Sequence, residues 1–204
     1  MTESEPKQSF TEIKIFPVPL TLDEVKGTIT PFTISAPKPS KEELINKALS
    51  FHRQGNVEQA KKYYKYFIGQ GFSDPEIFSN YGIICKEEGR INEALEIFKK
   101  SLKLYPNEIN SYLSVSNLLL EIGELHDAEL VARKAINLDA NNAEVYSLLG
   151  DILIKLGMIP EAEIFTRKSI DLNPNIAISH KNLGAILLRS GKLNEAISST
   201  NKAI

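Results

Sequence analysis

The sequence contains one cysteine and no tryptophan, and no apolar run approaches the ~20 residues that a membrane span requires. The single cysteine, Cys85, cannot form an internal disulfide bond, so packing alone must hold the fold together. A chain without disulfide bonds suits a reducing compartment. The polar, acidic start also lacks the pattern of an export signal. These absences predict a cytoplasmic protein that contacts no membrane.

The sequence also lacks an excess of either charge. Lys and Arg total 24 against 26 Asp and Glu, and both signs stay balanced on either side of residue 40. No basic stripe or tract is present that would attract nucleic acid or an anionic membrane surface. We therefore expect no nucleic-acid partner.

What the sequence does contain is a period of 34 residues, repeated without insertion or deletion. The units begin at Lys41, Pro75, Ile109, Ala143 and Ala177. One column is glycine in all five units: Gly55, Gly89, Gly123, Gly157 and Gly191. A second column is alanine in all five units: Ala60, Ala94, Ala128, Ala162 and Ala196. Two such columns indicate an array of repeats.

Each unit carries the pattern of two antiparallel helices. In the fourth unit, Tyr146 and Leu149 begin an apolar stripe with helical spacing. The recurrent glycine ends this helix, because glycine enters the left-handed conformation without steric cost. A second apolar stripe ends before Pro174, which cannot continue a helix. A further column of small residues predicts close helix packing, with Gly150 opposite Ala162.

The small-residue columns, the glycine, the alanine and the terminal prolines Pro106 and Pro174 together resemble the tetratricopeptide repeat family. The resemblance covers residues 41–204 and implies an all-α fold, a right-handed α-solenoid of stacked antiparallel helix pairs. The units that it implies are 41–74, 75–108, 109–142, 143–176 and an incomplete 177–204.

The two ends of the chain depart from the repeat. Residues 1–40 lack a helical stripe and contain six of the ten prolines, so we expect an extended, disordered leader there. At the other end, the sequence stops at Ile204, where earlier units continue, and no polar helix covers the last apolar face. We expect self-association through this uncapped end, or continuation of the chain as part of a longer protein.

No catalytic or metal-binding arrangement accompanies the repeat. The three histidines lie 74 and 54 residues apart, and no cluster of Cys or carboxylates has the spacing of metal ligands. Cys85 occupies a column that is otherwise Phe or Leu, which predicts a buried structural thiol rather than a nucleophile. We expect no catalytic residue, no metal and no cofactor.

In the tetratricopeptide repeat family, the first helices of successive units line a concave face. The resemblance therefore implies that the non-core residues of these helices face a groove, where asparagine amides can both donate to and accept from a peptide backbone. The alternative is that these polar residues meet only water or neighbouring helix ends. The candidate groove residues are Asn46, Asn80, Asn117, Asp151, Lys181 and Asn182.

Together, these features predict a non-catalytic scaffold that binds a protein or peptide in its groove. The alternative is the N-terminal, substrate-recruiting array of a larger enzyme, for example a glycosyl- or sulfotransferase, whose catalytic domain is absent from this sequence. The identity of the partner does not follow from the fold.

Overall fold

The computed structural model describes residues 38–203, which form ten α-helices and no strand. The leader predicted for residues 1–40 lies outside the described residues, apart from residues 38–40. The helices are α1 (Lys41–Arg53), α2 (Val57–Gly69), α3 (Pro75–Glu87), α4 (Ile91–Leu104), α5 (Ile109–Glu121), α6 (Leu125–Leu138), α7 (Ala143–Lys155), α8 (Ile159–Leu172), α9 (Ala177–Arg189) and α10 (Leu193–Asn201).

Polar side chains fix the first residues of several helices. Ser40 and Glu43 form a reciprocal capping box before α1, in which each side chain accepts a hydrogen bond from the other residue's backbone N–H. The Asp74 carboxylate accepts hydrogen bonds from two backbone N–H groups in the first turn of α3. Pro75 follows it directly and tolerates the first helical position. Asp74 and Pro75 together therefore fix the first residue of α3.

The five recurrent glycines follow the ends of α1, α3, α5, α7 and α9. Each has a positive φ, between 73° and 86°. At Gly157, for example, φ is 78°, and the next backbone N–H, that of Met158, donates to the Leu153 carbonyl at 2.9 Å. This bond satisfies a carbonyl that the helix end would leave unpaired. A side chain at this φ would be strained, which explains why glycine recurs in every unit.

The helices stack along one direction. Each odd-numbered helix packs against the even-numbered helix that follows it, and each even-numbered helix packs against the next odd-numbered one. Successive odd-numbered helices also pack backbone against backbone, whereas the even-numbered helices of residues 38–203 lie farther apart and meet through long side chains, as where Arg133 on α6 pairs with Glu161 on α8 at 2.7 Å. The odd-numbered helices therefore lie closer together and line the concave side. The prediction of an all-α solenoid built from antiparallel helix pairs is confirmed.

The core runs continuously between the helix pairs. Tyr64, Phe67 and Phe78 are fully buried in the first two units, and Leu149 is fully buried in the fourth. The Cys85 side chain is also fully buried and unpaired, as expected for a structural thiol. Burial raises the pKa of this thiol. Packing, rather than cross-linking, holds the array together.

The small-residue column lets paired helices lie close together, as predicted, and a Cβ on Gly184 would lie 3.3 Å from the carbonyl oxygen of the recurrent alanine, Ala196. A Cβ added to Gly150 would collide with the hydroxyl oxygen of Thr166, four residues beyond Ala162. The reason is that a helical side chain leans toward the N-terminus of its own helix and so covers the preceding turn. In the second unit, a Cβ on Gly82 would collide with the ring of Phe98.

Candidate ligand groove

A groove of about 570 Å³ opens on the concave side of the array. Its volume is typical of ligand pockets, which span roughly 300–1,000 Å³. Three inner helices supply most of the lining, with further residues from α4 and from the segment around the start of α9. The lining residues are Ser79, Ile83, Lys86, Phe98, Asn110, Leu113, Ser114, Asn117, Leu118, Glu121, Glu144, Ser147, Leu148, Asp151, Ile176 and Ile178.

The groove residues recur at matching places on α5 and α7. Counted from the first residue of each helix, the second, fifth, sixth and ninth positions line the groove. On α7 these positions are Glu144, Ser147, Leu148 and Asp151, whose spacing places them on one helix face. Leu149, on another face of α7, is buried in the core. The inner helices therefore divide their surface between the core and the groove.

Apolar side chains form a large part of the groove surface. Ile83 on α3 is 39% exposed, and Ile178 on α9 is 58% exposed. Leu113 and Leu148 lie between them on α5 and α7, and each is more deeply buried. Covering exposed apolar side chains stabilises a complex by roughly 25 cal/mol per Å² of area removed from water. This surface is suited to packing against apolar groups of a ligand.

Some charged side chains in the groove have an ion-pair partner, and others do not. Lys86 on α3 and Glu121 on α5 form an ion pair, with Nζ 2.9 Å from Oε1. Glu144 and Asp151 also line the groove, but neither has an ion-pair partner in the described part of the chain. Two carboxylates on α7 therefore remain uncompensated and give this part of the groove a negative potential.

Buried hydroxyl groups connect the groove to the helices behind it. The Oγ atoms of Ser169 and Ser179 lie 2.7 Å apart, and the Ser179 hydroxyl donates to Ser147 Oγ at 2.9 Å. Ser169 Oγ also lies 2.8 Å from the Ala143 carbonyl, to which its hydroxyl can donate. All three serines are buried. This chain joins α7, α8 and α9 and holds the Ser147 side chain in position at the groove.

The structure brings two of the six candidate residues into the groove. Asn117 lines it from α5, and Asp151 lines it from α7. Asn46 is exposed on α1, outside this lining. Lys181 is exposed on α9 and borders a different depression.

The other two candidates are more enclosed. Asn80 is half-buried on α3, near the Tyr64 hydroxyl, which forms a hydrogen bond with His52 Nδ1 at 2.8 Å. Burial raises the pKa of Tyr64 to about 12, and the Asn80 interaction opposes that rise. Asn182 is only 5% exposed, and its Nδ2 has no hydrogen-bond partner within residues 38–203. Neither asparagine lines the groove of 570 Å³.

The second positions of the inner helices, and the fifth positions of α5 and α7, were not among the candidates, although Lys181 is the fifth residue of α9. Asn110 and Leu113 on α5 belong to this set, as do Glu144 and Ser147 on α7. A signal for them was nevertheless present. Residues three, four and seven places apart share a helix face, and Asp151 lies four residues after Ser147 and seven after Glu144.

A second apolar surface lies on α9 and α10. Leu188, Leu193 and Ile197 are about half or more exposed there, around a depression of about 420 Å³. This surface is shallower than the groove and borders Lys181 rather than an acidic side chain.

Two further observations limit what the described residues contain. No helix among them is long and apolar enough to cross a membrane. Within the same residues, no group of three or more His, Cys, Asp or Glu side chains is arranged to hold a metal ion.

Comparison with known proteins identifies related sequences along the array. The family model described as YpiA-like, C-terminal tetratricopeptide repeats matches residues 45–108, and a tetratricopeptide repeat model matches residues 143–176. Photosystem I assembly protein Ycf3 of Prochlorococcus marinus (strain NATL1A) is 29% identical over 38% of this chain and 51% of Ycf3. The chain spans about half the length of the curated Ycf3 proteins that it matches.

Solved structures are similar to this chain over most of its length. MamA from Desulfovibrio magneticus RS-1 is similar with a TM-score of 0.70 and 25% identity, over 80% of this chain and 92% of the MamA chain. A thermophilic repeat protein of Thermus thermophilus has a TM-score of 0.66 and 20% identity, over 80% of this chain and 90% of its own. The second likeness concerns the fold alone.

Proposed function

Since the chain is a tetratricopeptide repeat protein, we propose that it acts as a scaffold, which binds a segment of another protein in the groove along α3, α5, α7 and the start of α9. The observation that carries this proposal is the apolar lining of a concave surface, with Ile83 and Ile178 partly exposed on opposite sides. Concave, largely apolar surfaces with a few polar groups among them are the usual form of a binding site.

The proposed mechanism is binding without turnover. A peptide can lie across the groove in an extended or helical form, with apolar side chains against Leu113 and Leu148 and polar contacts to Asn117. The name of Ycf3 assigns that protein to photosystem I assembly. By analogy, we propose a role in assembling proteins for this chain, with no catalytic residue and no cofactor.

Three narrower statements stay predictions. Cytoplasmic residence rests on the single thiol and the absence of an export pattern in the sequence. Self-association would use the apolar surface of α9 and α10, and a mass that rises with concentration in light scattering would support it. The alternative function, recruiting substrates for a fused transferase, uses the same groove and would require an open reading frame beyond Ile204.

The proposed function is tested by placing a charge in the groove. Ile178→Glu introduces a carboxylate at a side chain that is 58% exposed, and the matched control Ile164→Glu does so at one that is 66% exposed on the outer helix α8. Purified wild type and both variants are used to capture proteins, which are quantified by mass spectrometry. We expect Ile178→Glu to lose specific partners by about tenfold, because roughly 1.4 kcal/mol of apolar contact is removed.

The control variant, Ile164→Glu, separates a loss of groove binding from a general effect of the added charge. Ile164→Glu is expected to retain the same partners, and both variants are expected to keep the wild-type helical content and melting temperature. Equal capture by all three proteins, or equal loss in both variants, would show that the groove is not the binding surface.

A further inference from the structure

We propose that the segment bound in the groove presents a Lys or Arg side chain flanked by apolar residues, and that Asp151 and Glu144 receive the cation. This inference rests on the proposed function and adds the chemistry of the partner. The supporting observations are the two carboxylates on α7, their spacing along that helix, and the apolar residues that line the groove around them.

The two carboxylates share one face of α7. Asp151 lies seven residues after Glu144, which corresponds to about two turns and about 10 Å along the helix axis. Asp151 is half-buried and Glu144 is exposed, and both line the groove. A single extended cationic side chain, or two cations on one segment, can reach this face from the groove.

The groove does not neutralise these carboxylates itself. Lys86 is the only Lys or Arg among the groove-lining residues of the described chain, and it is already paired with Glu121 at 2.9 Å. The pair leaves little net charge among the groove-lining residues of α3 and α5. Among the lining residues, unpaired negative charge is therefore found on α7, where it attracts a cation and repels an acidic side chain or a C-terminal carboxylate.

Apolar residues surround the two carboxylates. Leu148 lies between Glu144 and Asp151 on the same helix face, and Ile178 lines the groove from α9. A Lys or Arg side chain matches this arrangement, because its aliphatic stem packs on leucine while its charged head reaches a carboxylate. A purely hydrophilic basic segment would leave Leu148 and Ile178 uncovered.

The test begins with a library of random 12-residue peptides displayed on phage and selected on the full chain. Clones that also bind an Ile178→Gln variant, which removes the apolar contact without adding a charge, are discarded, so that the remaining peptides depend on the groove. We expect these peptides to be enriched in Lys or Arg next to Leu, Ile, Val or Phe. Neutral or acidic groove-dependent peptides would overturn the inference and leave the proposed function standing.

Affinity measurements then locate the cation. A selected peptide, labelled with fluorescein, is titrated with wild type, Asp151→Asn and the control Asp171→Asn, whose aspartate is exposed on the outer helix α8. We expect Asp151→Asn to weaken binding about tenfold, as the loss of a hydrogen bond to a charged group predicts. We expect Asp171→Asn to have no effect, and the loss in Asp151→Asn to shrink at high salt.

A charge exchange completes the test. The Asp151→Lys variant should reject the selected peptide and bind a version in which glutamate replaces the basic residue. If Asp151→Asn binds as tightly as wild type, the cation is not received at α7 and the inference fails. If no selected peptide requires Ile178, the proposed groove function fails together with it.

Discussion

The junction between the first two units uses charged groups, whereas the junction between the last two units uses buried hydroxyls. Lys61 on α2 pairs with Glu88 at 2.6 Å across the first junction. Within the second unit, Glu88 also pairs with Arg90 at 2.6 Å, the Tyr81 hydroxyl donates to Glu93 at 2.8 Å, and the Arg90 guanidinium lies 5.7 Å from the centre of the Tyr81 ring. Water and salt compete with these partly exposed interactions.

At the last junction, no charge takes part in the hydrogen bonds that join Ser147, Ser169 and Ser179. These groups are buried, so solvent cannot replace a lost partner. The same arrangement of helix pairs can therefore be joined either by ion pairs or by buried hydroxyl groups, provided that the side chains fill the space between the helices. This difference also predicts that the two ends of the array respond differently to mutation and to pH.

The largest expected effect concerns a position that the second and fourth units share. Phe98→Ala should lower the free energy of unfolding by about 3–5 kcal/mol, because the buried ring fills the space over Gly82. At the equivalent position, Thr166→Ala should change it by less than about 1 kcal/mol, since the Thr166 hydroxyl has no hydrogen-bond partner within residues 38–203. Urea denaturation followed by circular dichroism measures both values. Similar losses would contradict the comparison.

The second largest expected effect is the loss of stability when one of the buried hydroxyl groups is removed. Ser179→Ala removes the central member of the chain and leaves the other serines short of a partner, which should cost about 1–3 kcal/mol. The control, Ser198→Ala, lies at an exposed position on α10 and should change stability by less than about 0.5 kcal/mol. The loss in Ser179→Ala should be the same at low and high salt. Strong salt dependence would mean that charges, not hydroxyls, hold this junction.

The smallest effect is a dependence on pH at the first junction. Hydrogen bonds from Lys61 lower the pKa of Glu88, and those from Tyr81 lower the pKa of Glu93. A lowered folded-state pKa stabilises the fold above the unfolded value, which is about 4.3 for Glu, and this contribution is lost as the pH falls through the folded pKa.

Hydrogen exchange measured by mass spectrometry can resolve this loss by region. Below about pH 4, protection should fall in α3 and α4 more than in α8 and α9, after correction for intrinsic exchange rates. The double variant Glu88→Gln and Glu93→Gln should flatten the pH dependence in α3 and α4. Equal loss of protection at both junctions in the wild type would contradict the assignment.

Much of the fold could be predicted because its signals are local. Gly157 ends a helix through its own backbone conformation, and Asp74 with Pro75 begins one through hydrogen bonds to the adjacent turn. The burial of Cys85 followed from the apolar residues at the same place in other units. The pairing of Gly150 with Thr166 was missed, because it depends on how side chains lean between two helices.

The groove could be predicted only in part. Asn117 and Asp151 lie in it because they occupy the expected face of the inner helices. The place of Asn80 beside Tyr64, and the burial of Asn182, depend on how each unit rotates against its neighbour. No repeating column in the sequence encodes that rotation, so identical residue types at one repeat position have different surroundings.

Close packing along the inner helices, with only side-chain contacts between outer ones, also determines how the array can deform. The even-numbered helices can move apart or together by giving up a few exposed contacts, such as the Arg133–Glu161 ion pair, while each inner helix stays packed on the next. Small changes of tilt therefore add up along the stack and alter its curvature. The width of the groove is thus coupled to the bend of the whole array, and a bound segment that widens it must straighten distant units.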